Sequence, residues 1–191
     1  MEIYIIRHTT PNIEKGICYG QTDLDLADTY SKEFKTITQQ IPNSKSYLVK
    51  SSPLKRCALL ANHLNSQVLF DDRLKEFDFG DWEMKRWNDI SEETLNPWME
   101  DFVNTRVPNG ESYIDLASRV HSFFEDIIYS KDKQNLIIVT HAGPIRAFLA
   151  SVLNIPLEKS FHIKIKYGAI FHLKREGNSW NLISEINLNS I

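Results

Sequence analysis

IYIIRHTT, residues 3–10, decides how the rest of the chain is read. Three β-branched isoleucines and a tyrosine run without alternation straight into Arg7 and His8. A short apolar run of this kind suits a strand covered on both faces. Two cationic or potentially cationic side chains at its end are then expensive to hold unless something anionic meets them.

Three other runs share that character: YLV at 47–49, VLF at 68–70 and LIIV at 136–139. Each is expected to be a strand buried on both faces. Between them the apolar residues change to helical spacing. Tyr30, Phe34, Ile37 and Ile41 form one stripe, Cys57, Leu60, Ala61 and Leu64 a second, Leu116, Val120, Phe124 and Ile127 a third, and Ile145, Phe148, Leu149 and Val152 a fourth. Strand alternating with helix predicts an α/β fold with a mostly parallel sheet. Residues 161–188 alternate instead, with turn signals at Tyr167-Gly168 and at Glu176-Gly177-Asn178, and read as strands near a sheet edge. Residues from about 77 to 110 carry three of the four tryptophans without a clean period, which marks a lid-like insertion within a single domain spanning 1–191.

Composition bounds the function. A 42% hydrophobic, 25% charged chain with a net charge of −3 is an ordinary globular domain. It lacks the basic excess and the Lys/Arg stripe of a nucleic-acid binder. Cys18 and Cys57 are the only cysteines and form no CxxC, so both are expected to stay thiols in a reducing compartment. No stretch approaches the roughly 18 apolar residues of a membrane span, and the first residues lack a signal-peptide pattern. A cytoplasmic protein that touches no membrane is the expectation; its oligomeric state is not readable.

Ligands of open α/β sheets sit beyond the carboxyl ends of the strands. Arg7 and His8 end the first strand, Lys50-Ser51-Ser52 the second, and Thr140-His141 the LIIV strand, which AGPIR follows as a helix start. Arg56 lies one turn into the helix after SSP. Helix N-termini near Pro53 and Gly143 add unpaired N–H groups that favour anions. Such a rim suits a multiply charged anion, above all a phosphoryl group, because Arg forks match phosphate geometry and an imidazole nitrogen can attack phosphorus.

The motifs IIRHTT, THAG, SSPLKRCALLA and LKEFDFGDWE together resemble the histidine phosphatase, or phosphoglycerate mutase-like, superfamily, from Ile3 to about Leu173. YGQTDLDLAD with FGDWEM, PNGES and the HAG helix is most similar to its α-ribazole phosphatases. The resemblance implies a three-layer α/β/α sandwich with antiparallel strands toward the C-terminus. It also implies roles: His8 the nucleophile, Arg7 and Arg56 the phosphate clamp, His141 a holder of a phosphoryl oxygen assisted by the N–H of Ala142, and Glu76 the general acid and base. Gly20 and Gln21 would edge the substrate phosphate. The chain departs from the family pattern at Thr9, where a Gly is usual, and at Pro11, so Thr10 and Asn12 are not assigned as ligands.

Those roles describe a small-molecule phosphate ester opened by a neutral His8, with no metal or other cofactor. For Glu76 to protonate the leaving oxygen near neutral pH it must be desolvated, and Phe77, Phe79 and Trp82 are expected to do this. His63, His121, His162 and His172 show no metal-ligand spacing, although His162, expected to start a strand near the rim, is the one to follow. Glu83 and Glu111 are candidates for orienting an arginine. A broad sugar-phosphate phosphatase, a phosphoglycerate mutase-type enzyme and a non-catalytic phosphate-binding module remain as alternatives.

Overall fold

The computed structural model describes residues 1–130, 134–177 and 179–187. Six strands form one sheet: β1 (Glu2–Arg7), β2 (Leu48–Ser51), β3 (Val68–Phe70), β4 (Leu136–Thr140), β5 (Ile170–Glu176) and β6 (Ser179–Ile186), in the order β3-β2-β4-β1-β5-β6. The β3–β2, β2–β4 and β4–β1 pairs are parallel; β5 and β6 are antiparallel additions beside β1. The helices are α1 (Tyr30–Gln40), α2 (Lys55–Leu64), α3 (Glu92–Glu100), α4 (Tyr113–Tyr129) and α5 (Ala142–Val152).

The central strands show why their sequences do not alternate. Ile3 and Ile5 of β1 and Leu136 and Ile138 of β4 join the apolar cluster that holds Leu116 and Phe123 of α4 and Phe148 of α5. Tyr4, Ile6, Ile137 and Val139 point the other way, into the cluster of Phe34 and Ile37 from α1 and Leu60 and Ala61 from α2. Successive side chains leave opposite faces of a strand. Helices on both faces therefore demand an apolar residue at every position, and the result is a three-layer α/β/α sandwich.

Two expectations fail locally. The run 68–70 does form a strand, but as β3 it sits at the sheet edge with Leu69 53% and Phe70 50% exposed, not buried on both faces. Residues 161–166 do not continue the C-terminal strands. His162 ends a 3-10 turn over Leu157–His162 and is exposed, and β5 begins only at Ile170. The carbonyls of Ile163 and Ile165 accept from Arg146 (3.4 Å) and Arg7 (2.6 Å), so arginine side chains take the place of a strand partner there. The turn expected at Glu176-Gly177-Asn178 joins β5 to β6, with Gly177 at φ +62°; Asn178 lies outside the described residues. Among the described residues no helix is long and apolar enough to cross a membrane.

Candidate active site

The three central parallel strands end nearly level, with Arg7 opposite Thr140 and Ser51 opposite Val139. The first residues past those ends therefore share one rim. His8 is held there from both sides: its N–H donates to the Thr140 carbonyl (3.0 Å) and its own carbonyl accepts from Gly168 (3.1 Å). The ring Nδ1 lies 2.7 Å from the Thr9 carbonyl oxygen. A carbonyl can only accept, so Nδ1 carries the proton and Nε2 keeps its lone pair.

His141 caps β4, and its ring centroid is 5.0 Å from that of His8. Arg56 Nε, a donor only, lies 3.3 Å from His141 Nδ1, which leaves the proton on Nε2, 2.8 Å from the Ser52 hydroxyl. Both imidazoles are buried, His8 1% and His141 0% exposed. Burial first, then the nearby arginines, holds each well below the ordinary histidine value of 6.5. Both are neutral near pH 7.

Arg56 is completely buried. Besides His141, its guanidinium donates to the carbonyls of Thr22 (2.8 Å) and Gly20. That loop is shaped by Glu83, whose carboxylate accepts the N–H groups of Gly20 (3.0 Å), Gln21 (2.8 Å), Thr22 (3.1 Å) and Phe79 (3.2 Å). Glu83 thus orients an arginine, as expected of it, but through the backbone of residues 20–22. Gly20 is required by packing: a Cβ there would lie 1.8 Å from the Phe77 carbonyl oxygen. Gln21 donates its side-chain amide to the Glu76 carbonyl (3.2 Å). Arg7 donates to Ile165, and its guanidinium carbon lies 3.9 Å over the Tyr167 ring, a cation–π contact. The Tyr167 hydroxyl is 2.6 Å from that of Tyr19.

Glu76 reaches the same rim from the segment after β3. Its Oε1 accepts from the N–H of Phe77 and of Gly143, both at 3.0 Å. The Gly143 amide, expected to serve an anionic ligand, therefore serves a carboxylate of the protein, while Ala142 opens the helix ahead of it, where N–H groups have no intrahelical partner. Glu76, Phe77 and Phe79 line a cavity of about 170 Å³ together with Trp98 and Phe102. Trp82, expected to desolvate Glu76 with them, packs instead in the core at 2% exposure.

Thr10 donates its N–H and hydroxyl to Glu33 (3.0 and 3.2 Å), and Asn12 is exposed, so neither is set at the pocket. Ser52, expected at the rim as the end of the second strand, contacts His141 as described. Two participants were not singled out from the sequence. Arg119 pairs with Glu111 (2.6 Å) and donates to the carbonyls of Arg73, Lys75 and Glu76 at 2.7–2.9 Å, which fixes the backbone that carries Glu76. Arg146 lines the aromatic cavity. An arginine in mid-helix and an arginine five residues after a histidine carry no local signal.

The arrangement brings an imidazole with a free Nε2 lone pair, a second imidazole, two arginines and a carboxylate to one rim of the sheet. Two sequences from Hydrogenobacter thermophilus are 29% and 27% identical over 189 and 188 residues, covering 95% and 93% of this chain and 93% and 89% of their own; the second is phosphoserine phosphatase 1. The adenosylcobalamin/alpha-ribazole phosphatase of Salmonella typhimurium is 27% identical over 179 residues, 88% of this chain and 87% of its own. The crystal structure of the alpha-ribazole phosphatase from Shigella flexneri superposes with a TM-score of 0.87 at 24% identity, over 96% of this chain and 95% of that one. With the family model matching residues 3–187, the chain belongs to the histidine phosphatase superfamily, branch 1.

Proposed function

We propose that this chain hydrolyses phosphate monoesters through a phosphohistidine formed on His8, with α-ribazole 5′-phosphate, converted to α-ribazole in cobalamin biosynthesis, as its substrate. The observation that supports the reaction class is the oriented pair of neutral imidazoles, with the His8 Nδ1 proton tied to Thr9 and Nε2 left basic. In the first step Nε2 attacks phosphorus, the bond from phosphorus to the leaving oxygen breaks, and the Glu76 carboxyl gives that oxygen its proton. Arg7, Arg56, His141 and the Ala142 N–H hold the three equatorial oxygens. Each preorganised donor of this type contributes on the order of 10²–10³ in rate. In the second step the Glu76 carboxylate takes a proton from water, whose oxygen attacks phosphorus; the P–N bond breaks, inorganic phosphate leaves and neutral His8 returns.

Gly20 and Gln21 bound the phosphate side, and residues 77–110 act as a lid-like insertion on the alcohol side of one domain. The aromatic cavity next to Glu76 favours a flat leaving group, since benzimidazole faces match its walls better than a serine or a simple sugar does. The identity to a phosphoserine phosphatase favours a second reading, a small amino-acid phosphate. A kcat/KM comparison of α-ribazole 5′-phosphate, phosphoserine, and sugar and nucleoside monophosphates separates the two, with α-ribazole 5′-phosphate expected to lead. His8→Ala should lose both turnover of 4-nitrophenyl phosphate and the acid-labile phosphoenzyme. Equal turnover in wild type and His8→Ala would overturn the covalent route.

A further inference from the structure

Arg146 stands apart from the other arginines at the rim. It lies in the first turns of α5, four residues after the helix start at Ala142, on the wall of the aromatic cavity that Glu76 also lines. Its guanidinium carbon is 4.5 Å over the Phe161 ring, which closes one side with π surface. Its single hydrogen bond among the described residues is a long one, from Nε to the Ile163 carbonyl at 3.4 Å. The two Nη groups thus have no protein acceptor there.

Glu76 is the one carboxylate among the residues that line the cavity, and its Oε1 is engaged by two backbone N–H groups. Another donor shares the wall: the Trp98 indole N–H is buried without a partner among the described residues. Partial burial lowers the Arg146 guanidinium from its ordinary value, the cost of a cation drawn partly out of water without an ion pair among the described residues. Buried donors in native proteins are nearly always satisfied, so the Trp98 N–H in particular calls for an acceptor. A cavity that combines flat apolar walls with donors that no protein acceptor engages is complementary to a planar group bearing a lone pair.

We propose that Arg146 is a specificity-determining residue that binds a hydrogen-bond acceptor on the alcohol half of the ester while the aromatic walls take its flat face. The inference rests on the reading of the site as a phosphatase's and adds which half of the substrate is recognised and by what. In α-ribazole the acceptor is the unsubstituted ring nitrogen of the benzimidazole; in an amino-acid phosphate it is the carboxylate. Arg suits either, because its planar fork offers parallel N–H groups.

The test uses pairs of esters that differ in the acceptor. α-Ribazole 5′-phosphate is compared with its indole analogue, in which C–H replaces the ring nitrogen, and phosphoserine with phosphoethanolamine, which lacks the carboxylate. Wild type should prefer the acceptor-bearing member of one pair by about 10- to 100-fold in kcat/KM, the range for a charge-assisted hydrogen bond in a dry pocket. The pair that discriminates identifies the source of the acceptor. In Arg146→Met that ratio should collapse toward one. Discrimination in neither pair, or a ratio unchanged in Arg146→Met, overturns the proposal. If that variant does not fold, Arg146→Lys, which keeps the charge without the planar fork, should shrink the ratio, and an unchanged ratio again overturns it. Calorimetric Kd ratios for the free alcohols read the same preference without turnover. A failed phosphatase assignment is therefore distinguishable from a failed role for Arg146.

Discussion

Substituting Gly143 by alanine tests the placement of Glu76 with the smallest possible perturbation. A Cβ at 143 would stand 2.3 Å from Glu76 Oε1 and 3.0 Å from a Leu116 methyl. Non-bonded carbon and oxygen do not approach closer than roughly 3.2 Å, so the carboxylate must retreat by about 1 Å. It would lose the 3.0 Å bond from the Gly143 amide in doing so. The atom that moves is the end of a flexible side chain, and alanine is the better helix former, so the fold should suffer little. With one hydrogen bond lost, about 1 kcal/mol, and a few tenths regained from helix propensity, the melting temperature should fall by no more than about 4 °C. Catalysis is less forgiving: a misplacement of about 1 Å commonly costs on the order of 10²-fold. The loss should fall on esters with poor leaving groups, which need the proton from Glu76, and should be much smaller for 4-nitrophenyl phosphate. The assay is kcat for an alkyl and an aryl phosphate in wild type and Gly143→Ala, beside a thermal melt. Equal slowing of both esters, or no slowing of the alkyl ester in a folded variant, would refute Glu76 as the proton donor held by Gly143.

Other consequences separate the remaining parts. Glu83→Gln weakens the acceptor that gathers the amides of residues 20–22 and through them Arg56; kcat/KM should drop by about 10- to 10²-fold for alkyl and aryl esters alike, in contrast to Gly143→Ala. Arg119→Met leaves Glu111 without its mostly buried partner and should destabilise by about 3 kcal/mol in urea titrations, whereas the double variant Arg119→Met/Glu111→Gln should recover part of that loss. Stability should also fall with acid. The folded state holds His8 and His141 neutral well below 6.5, whereas the unfolded chain binds a proton at each near that pH. Unfolding is therefore accompanied by proton uptake, and stability decreases as pH drops below 6.5, by about 1.4 kcal/mol per pH unit for each histidine. Urea midpoints of wild type and His141→Asn measured between pH 7 and 5 check this, with the shallower slope expected in the variant.

Much of the architecture was readable because burial leaves a local trace. Strands covered on both faces need apolar residues at every position, so 3–6 and 136–139 stood out, and each helix over the sheet repeats its apolar contacts every three or four residues. The trace failed where burial did. β3 has the composition of a central strand yet ends the sheet, and 161–166 alternates like a strand while its carbonyls serve Arg7 and Arg146. Nothing within either segment distinguishes the two situations.

What the sequence by itself determined was which strands end in cationic and imidazole side chains, and hence that these groups would gather where parallel strands finish together. His8, Arg7, Arg56 and His141 meet there because the register of β1, β4 and β2 leaves them little alternative. What only the tertiary structure decided was how those groups are aimed. Ser52 meets His141 across 89 residues of chain, Arg119 meets the Glu76 carbonyl across 43, and Glu83 reaches Gly20 across 63. A hydrogen bond requires its partners within a few tenths of an ångström. That precision comes from the packing of whole elements against one another, a sum over many contacts that no single stretch of residues encodes.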